Sequence, residues 1–274
     1  MFKKAVIIGT GLIGGSIGFE MRKRRLAGEI VGMSRHKKNA LLAKKKSSID
    51  RLALGLDEVK DADLIILATP VEAIIETGKK IASLVNKNCL VIDVGSTKEK
   101  IVTELSALIP GFIGCHPLAG SEKKGALNLE EGLFHGSVCV ITPAPKTPKN
   151  LLNKAKSLWK KLGSRVAILS PGEHDRILSL TSHLPHALAF SLIAAVPEKF
   201  LSFSSGGLKD STRIAASDPD LWSEIFLSNR DNLLAAFSSF QNKFNALKLA
   251  LAKRNKKSLV KILKTAGKKR EILK

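Results

Sequence analysis

The sequence predicts an α/β protein, with a parallel sheet covered on both faces in its first half and helices alone in its second. Three observations carry this. Short, continuously apolar runs recur as far as Leu169, separated by amphipathic stretches of helical length. Strands buried on both faces read as unbroken apolar runs, and parallel strands need helical crossovers between them. A glycine-rich turn directly follows the first run, and the whole pattern stops at Ser170-Pro171-Gly172, beyond which only helical periodicity remains.

The elements follow in order. Residues 5–8 form the first strand, and Gly9-Thr10-Gly11-Leu12-Ile13-Gly14 then opens a helix reaching about Arg25. Further strands are predicted at residues 29–33, 64–67, 90–93, 112–113, 138–141 and 166–169. In the second half Pro185, Pro197, Gly206-Gly207 and Asp218-Pro219 divide the helices, the last pair being an N-cap acceptor followed by a residue with preset φ. The next helix carries Leu233, Phe237, Phe240, Phe244, Leu247 and Leu251 at alternating four and three spacing. Such a seam is either an internal core stripe or a subunit interface. The Lys-rich tail from Lys253, with Leu259, Ile262 and Leu263 on one face, reads as a solvated amphipathic helix. Two domains result, residues 1–169 and 170–274.

Composition narrows the class. The 274 residues are 44% hydrophobic and 25% charged, with no apolar tract of about 20 residues, so a soluble protein with no membrane partner is expected. The formal charge of +21 attracts polyanions. A basic nucleic-acid-binding protein is therefore the alternative from another class. Against it, the aromatics are Phe and Trp without a single Tyr, which limits stacking surface, and no helix-turn-helix, RNP or finger pattern occurs. No nucleic-acid partner is expected. Cys89, Cys115 and Cys139 are odd in number and lie within or beside apolar runs, which predicts reduced core thiols and a cytoplasmic protein. Lys3-Lys4 and the uncharged stretch to Phe19 mimic a signal peptide, but the glycines and the missing Ala-x-Ala site argue against one.

The glycine turn carries the first chemistry. Its glycines allow a tight turn and close backbone approach to a pyrophosphate, while the helix N-terminus favours negative charge. With strand, helix and second strand at the expected spacing, the first domain is predicted to be Rossmann-like and to bind a dinucleotide through Gly9, Gly11, Leu12, Ile13 and Gly14. An acidic residue after the second strand would bind the ribose diol of NAD, but the chain has Ser34 and Arg35, with no Asp or Glu between Ile30 and Ile49. A hydroxyl and a guanidinium suit a 2′-phosphate, so NADP is favoured and NAD stays open.

Two later turns follow strands, where open α/β sheets bind ligands. Asp93-Val-Gly-Ser96-Thr-Lys98 and Gly114-Cys-His116-Pro-Leu-Ala-Gly120-Ser121-Glu122 would bring Ser96 and His116 towards a nicotinamide, unless His116 is merely structural. In the second half, His183 and His186 flank Pro185; a metal reading would add His174, but no third ligand has clear spacing, and no metal is expected. Arg213, at the end of Gly206-Gly-Leu-Lys-Asp210-Ser-Thr-Arg213, either clamps a carboxylate or pairs at the surface with Asp210 or Asp218.

Taken together, the motifs GTGLIGGS, ATPVEAI, DVGSTK, GCHPLAGSEKKG, LTSHLPHALAF and GGLKDSTRIAASDPDLW, in this order over residues 4–251, resemble the prephenate/arogenate dehydrogenase family of tyrosine biosynthesis. The resemblance implies a dinucleotide domain followed by an all-helical dimerisation domain, and hence a homodimer. It implies oxidative decarboxylation of prephenate to 4-hydroxyphenylpyruvate, or of arogenate to tyrosine, with both small-molecule substrates open. It places the catalytic histidine at His116, the serine sharing the substrate hydroxyl at Ser96, and the carboxylate-binding arginine at Arg213. His186, Ser121 and Glu122 match pocket positions, Glu122 with a gating or ionic role. Asp210 and Trp222 match residues near the site, and Thr69 and Pro70 of ATPVEAI match the cofactor side. Pyrroline-5-carboxylate reductases and β-hydroxyacid dehydrogenases share this architecture but give no reason for GCHPLAG together with SHLPHA. In 274 residues no room is expected for a chorismate mutase segment or an ACT-like regulatory domain.

Overall fold

The computed structural model describes residues 1–35, 37–119, 129 and 131–273. The first half runs β1 (Phe2–Ile8), α1 (Leu12–Lys23), β2 (Ala27–Met33), α2 (Lys37–Lys45), β3 (Arg51–Leu52), β4 (Leu64–Leu67), α3 (Val71–Ile81), β5 (Leu90–Asp93), α4 (Glu99–Ser106), β6 (Phe112–Pro117), β7 (Val138–Thr142), α5 (Lys149–Lys161) and β8 (Arg165–Ile168). These strands form one sheet in the order β3-β2-β1-β4-β5-β6-β7-β8. The chain starts in the middle, at β1, and moves outwards in both directions. The strand order therefore reverses between β1 and β4, and ligands of such sheets bind in the crevice beyond the strand ends at that point.

Both faces are covered, as the apolar runs predict. On β4, Leu64 and Ile66 join Ile7, Ile17, Met21, Ile30 and Trp159 on one side, while Ile65 and Leu67 join Val6, Val31, Ile74, Ile101 and Leu105 on the other. The period of two sorts successive side chains into two cores.

The sheet is not wholly parallel, which corrects the sequence expectation. β7 pairs antiparallel with β6, with Gly114 opposite Thr142 and Pro117 opposite Cys139, and β8 then pairs parallel with β7. An unbroken apolar run reports burial on two faces; it carries no information on strand direction. β3 was also not anticipated, because two residues, Arg51 and Leu52, present no periodicity.

Beyond β8 the described residues contain no strand. They form α6 (Pro171–Leu178), a π-helical turn (Ser179–His183), α7 (Leu184–Ala194), α8 (Gly206–Thr212), α9 (Pro219–Ser228), α10 (Arg230–Ala252) and α11 (Lys256–Glu271), with short 3-10 segments between some of them. Ser170 caps α6 by accepting from the Glu173 amide at 3.3 Å, and Asp218 caps α9 by accepting from the Asp220 amide at 3.0 Å. Pro185 lacks an N–H to donate, and the π turn sits immediately before it. By length and composition the run Pro171–Ala194 is apolar enough to cross a membrane. It nevertheless buries His174, Asp175, Ser179 and His183, each hydrogen-bonded to protein.

The chain divides into two compact units, Met1–Asn229 and Arg230–Lys274. In the second, α10 packs with α11, and Phe240 stacks with Phe244 at 6.1 Å between ring centroids. The α10 seam is not an internal core stripe along its length: Phe240, Phe244 and Leu251 are 37%, 54% and 59% exposed.

Gly18 lets α1 lie against the segment after α2. Ser48 donates its hydroxyl to the Gly15 carbonyl at 2.5 Å, and a Cβ at Gly18 would run into the Ser48 backbone oxygen. Helix propensity alone would favour Gly18→Ala by about 1 kcal/mol. Because the obstacle is backbone, Gly18→Ala is expected instead to destabilise by about 1–3 kcal/mol, read as a lower urea midpoint at unchanged slope.

Candidate active site

The β1–α1 turn is built for close approach. Gly9 has φ of +105°, and a Cβ there would collide with the Ala68 carbonyl at the end of β4. A Cβ at Gly14 would meet the Gly9 carbonyl, whereas a Cβ at Gly11 would meet none of the described residues within 4 Å. Gly11 is the N-cap of α1; it provides no side-chain cap, and the first turn carries no acidic residue. Among the described residues no carboxylate caps the positive end of this helix. Beside it, the buried hydroxyls of Thr10 and Thr69 have no partner among the described residues. This combination fits a dinucleotide, whose phosphates would take the α1 amides and whose polar atoms would satisfy the two threonines. Leu12 and Ile13 begin α1, Pro70 precedes α3, and Ser34 and the exposed Arg35 follow β2.

At the end of β5, Asp93 is fully buried and organises the turn that carries Ser96. Its carboxylate pairs with the equally buried Lys98 ammonium and accepts from the amides of Gly95 at 2.8 Å and Cys115 at 3.2 Å. Burial pushes the Asp93 carboxyl up, against the opposing pull of Lys98 and these amides. Ser96 is half-buried and makes no hydrogen bond among the described residues.

Next to this turn, β6 presents His116. Its Nδ1 lies 2.9 Å from His174 Nε2, and His174 Nδ1 lies 2.7 Å from Asp175 Oδ1. Asp175 also accepts from the backbone amides of Lys98 at 2.8 Å and Glu99 at 2.9 Å, so it caps the start of α4. Asn229, after α9, donates to the Asp175 carbonyl at 2.7 Å and lies 3.1 Å from His183 Nδ1. Burial holds His116 well below the ordinary histidine range, helped by His174, Lys98 and His183. Burial also lowers His183 to about 4, against the opposing charge of Asp175.

A second aromatic group completes the site. The rings of His186 and Trp222 stack at 3.5 Å and 20°, with His183 edge-on to the indole at 6.1 Å. His186 Nδ1 donates to the Ser182 carbonyl at 2.9 Å, leaving Nε2 as an acceptor. Burial lowers the His186 pKa, and the nearby Arg213 charge adds to this.

The nucleotide-binding domain of the prephenate dehydrogenase family matches residues 17–168, and its dimerization domain matches residues 170–265. The chain belongs to the prephenate dehydrogenase family. It is 34% identical over 272 residues to the prephenate dehydrogenase of Bacillus subtilis, covering 95% of this chain and 73% of that one. Prephenate dehydrogenase from A. aeolicus, solved with hydroxyphenyl propionate and NAD+, superposes with a TM-score of 0.94 at 33% identity, covering 100% of this chain and 99% of that one. The arogenate dehydrogenase of Synechocystis superposes at 0.88 and 27% identity, covering 99% and 100%. As a family member the chain is a nucleotide-dependent oxidoreductase of the prephenate dehydrogenase type.

The structure sorts the predicted site residues. Asp93 and Lys98 join the Ser96 turn to the strand of His116, and His186 meets Trp222 beside Arg213. Asp210 is exposed on α8. Ser121 and Glu122 lie outside the described residues. His174, considered in the sequence only as a third metal ligand, is instead tied to His116 and Asp175. Neither Asp175 nor Asn229 was anticipated. The available signal was two adjacent polar residues, His174 and Asp175, just inside a helix start and on its buried face.

Removing one member of a buried ion pair leaves an uncompensated charge. Lys98→Met is expected to cost about 3–5 kcal/mol at pH 8 and less at pH 5, compared with wild type by urea midpoints at each pH. The sign follows from Asp93: its folded pKa, already raised, rises further, so the deficit grows as pH climbs through that value.

Proposed function

We propose that this chain converts prephenate to 4-hydroxyphenylpyruvate by oxidative decarboxylation, with His116 as the base. The observation that carries the reading is the place of His116, at the carboxyl end of β6 on the turn side of the sheet that also bears the Gly9–Gly14 cradle, where burial holds its pKa well below the ordinary histidine range. When bound, the nicotinamide nucleotide supplies the hydride acceptor for the ring carbon that carries the hydroxyl. His116 takes the hydroxyl proton as that carbon becomes a carbonyl-like centre, and Ser96, whose hydroxyl is unclaimed among the described residues, shares the same oxygen. Loss of the ring carboxylate as CO₂ delivers its bonding electrons to the ring and leaves an aromatic phenol. Arg213 holds a substrate carboxylate, while His186, stacked on Trp222, offers a pocket acceptor; both residues position. Asp210, Ser121 and Glu122 are assigned to the pocket rim.

For the nucleotide, Gly9, Gly11, Leu12, Ile13 and Gly14 take the pyrophosphate, with Thr69 and Pro70 on the nicotinamide side. Ser34 and Arg35 favour NADP, because the chain beyond β2 offers a cation where a 2′-phosphate would lie and no carboxylate for a ribose diol. Residues 1–169 are assigned to nucleotide binding and 170–274 to substrate binding and dimerisation. The exposed Phe240, Phe244 and Leu251 seam supports a homodimer formed through the helical half. Three buried free thiols fit a reducing cytoplasm.

Assaying prephenate and arogenate with NAD and NADP tests the reading directly: turnover of prephenate is expected, and its absence would overturn the reading. His116→Asn is expected to lower kcat by about 10²–10⁴-fold with KM little changed. By contrast, Arg213→Ala should act chiefly on KM. The ratio of kcat/KM for NADP over NAD should fall in Arg35→Asp, and an unchanged ratio would remove Arg35 as the selector.

A further inference from the structure

We propose that His174 and Asp175 are positioning residues that hold His116 in its Nδ1–H tautomer, so that Nε2 is the atom that accepts the substrate proton. The proposal rests on the reading of His116 as the base. It follows from counting donors along one hydrogen-bonded chain. Asp175, as a carboxylate, only accepts: Oδ1 takes the Lys98 amide and His174 Nδ1–H, and Oδ2 takes the Glu99 amide. The two amides belong to the start of α4, whose dipole also favours the anion there. With its one hydrogen committed at Nδ1, a neutral His174 presents a lone pair at Nε2. The 2.9 Å contact to His116 Nδ1 then requires His116 to be the donor. His116 has used its own hydrogen, and its Nε2 is left as an acceptor that no described residue occupies.

The chain is held at both ends. Asn229 donates to the Asp175 carbonyl, which fixes the first turns of α6, and the backbone of β6 fixes His116. His174 is fully buried, so it has no access to substrate and acts only through its neighbour. Asp93, Lys98 and His183 are the other ionisable groups close to this line. Asp93 and Lys98 pair with each other, and neither side chain joins the hydrogen-bonded line, whose polarity is set by the Asp175 carboxylate that accepts His174 Nδ1–H.

The test combines tautomer and kinetics. In the full-length protein with ¹⁵N-labelled histidine, NMR is expected to show His116 protonated at Nδ1 and bare at Nε2 at pH 8. His174→Phe removes the acceptor, so His116 should lose that preference, and kcat should fall by about 100-fold or more. KM for prephenate and affinity for the nucleotide should stay near wild type. His174→Gln restores a carbonyl acceptor where Nε2 stood and should recover most of kcat. Finding His116 protonated at Nε2 in wild type would overturn the proposal, whether or not the Phe variant folds. So would a Phe variant with wild-type kcat, or equal losses in Phe and Gln with an unchanged His116 tautomer. If wild type turned over no prephenate, the functional reading would fall while the NMR result still decided the tautomer.

Discussion

The carboxylate of Asp175 joins what the sheet and the first helices after it each contribute. It accepts two amides of α4 and the imidazole of His174, and the peptide that bears it takes the Asn229 amide. Hydrogen bonds to a charged group contribute about 1.5–3 kcal/mol each, though such values do not add within one network. The placement matters more than the sum. α4 begins directly after the Ser96 turn, so its capping residue also controls the loop that carries Ser96, and through His174 it reaches the ring of His116. One buried anion thereby sets a helix start, a loop and a side chain from three elements.

Lys98 reinforces this from the other side. Its amide goes to Asp175 while its ammonium goes to Asp93, which in turn takes the amides of Gly95 and Cys115. Buried ion pairs gain little net stability over apolar replacements. Here the pair joins the end of β5 to β6 beside His116, whose pKa burial holds well below the ordinary histidine range with the Lys98 charge adding to it. The formal charge of +21 belongs to the whole sequence, and the basic, solvent-exposed α11 forms part of the Arg230–Lys274 unit.

Much of the scaffold was legible because local rules wrote it. Gly9-Thr-Gly11-Leu-Ile-Gly14 requires a positive φ and close packing, and the structure provides the positive φ at Gly9 and the close packing at both Gly9 and Gly14. Asp218-Pro219 joins an N-cap acceptor to a residue with preset φ, and it starts α9. The antiparallel turn of β7 was not legible, because apolar continuity reports burial without direction. The approach of His186 to Trp222 joins segments 36 residues apart, and the line from Asp175 to His116 spans 59. Neither leaves a spacing pattern. His174 looked like a potential ligand because a sequence shows which groups a residue carries and not the direction in which they point.

Because the cradle lies wholly within the earlier part of the chain and His116 is oriented from His174, the two halves of the activity mature at different times. A ribosome releases the Gly9–Gly14 turn and all its flanking strands before α6 and Asn229 appear. The nascent chain gains its nucleotide-binding turn first, and the setting of its base waits for the helices that follow.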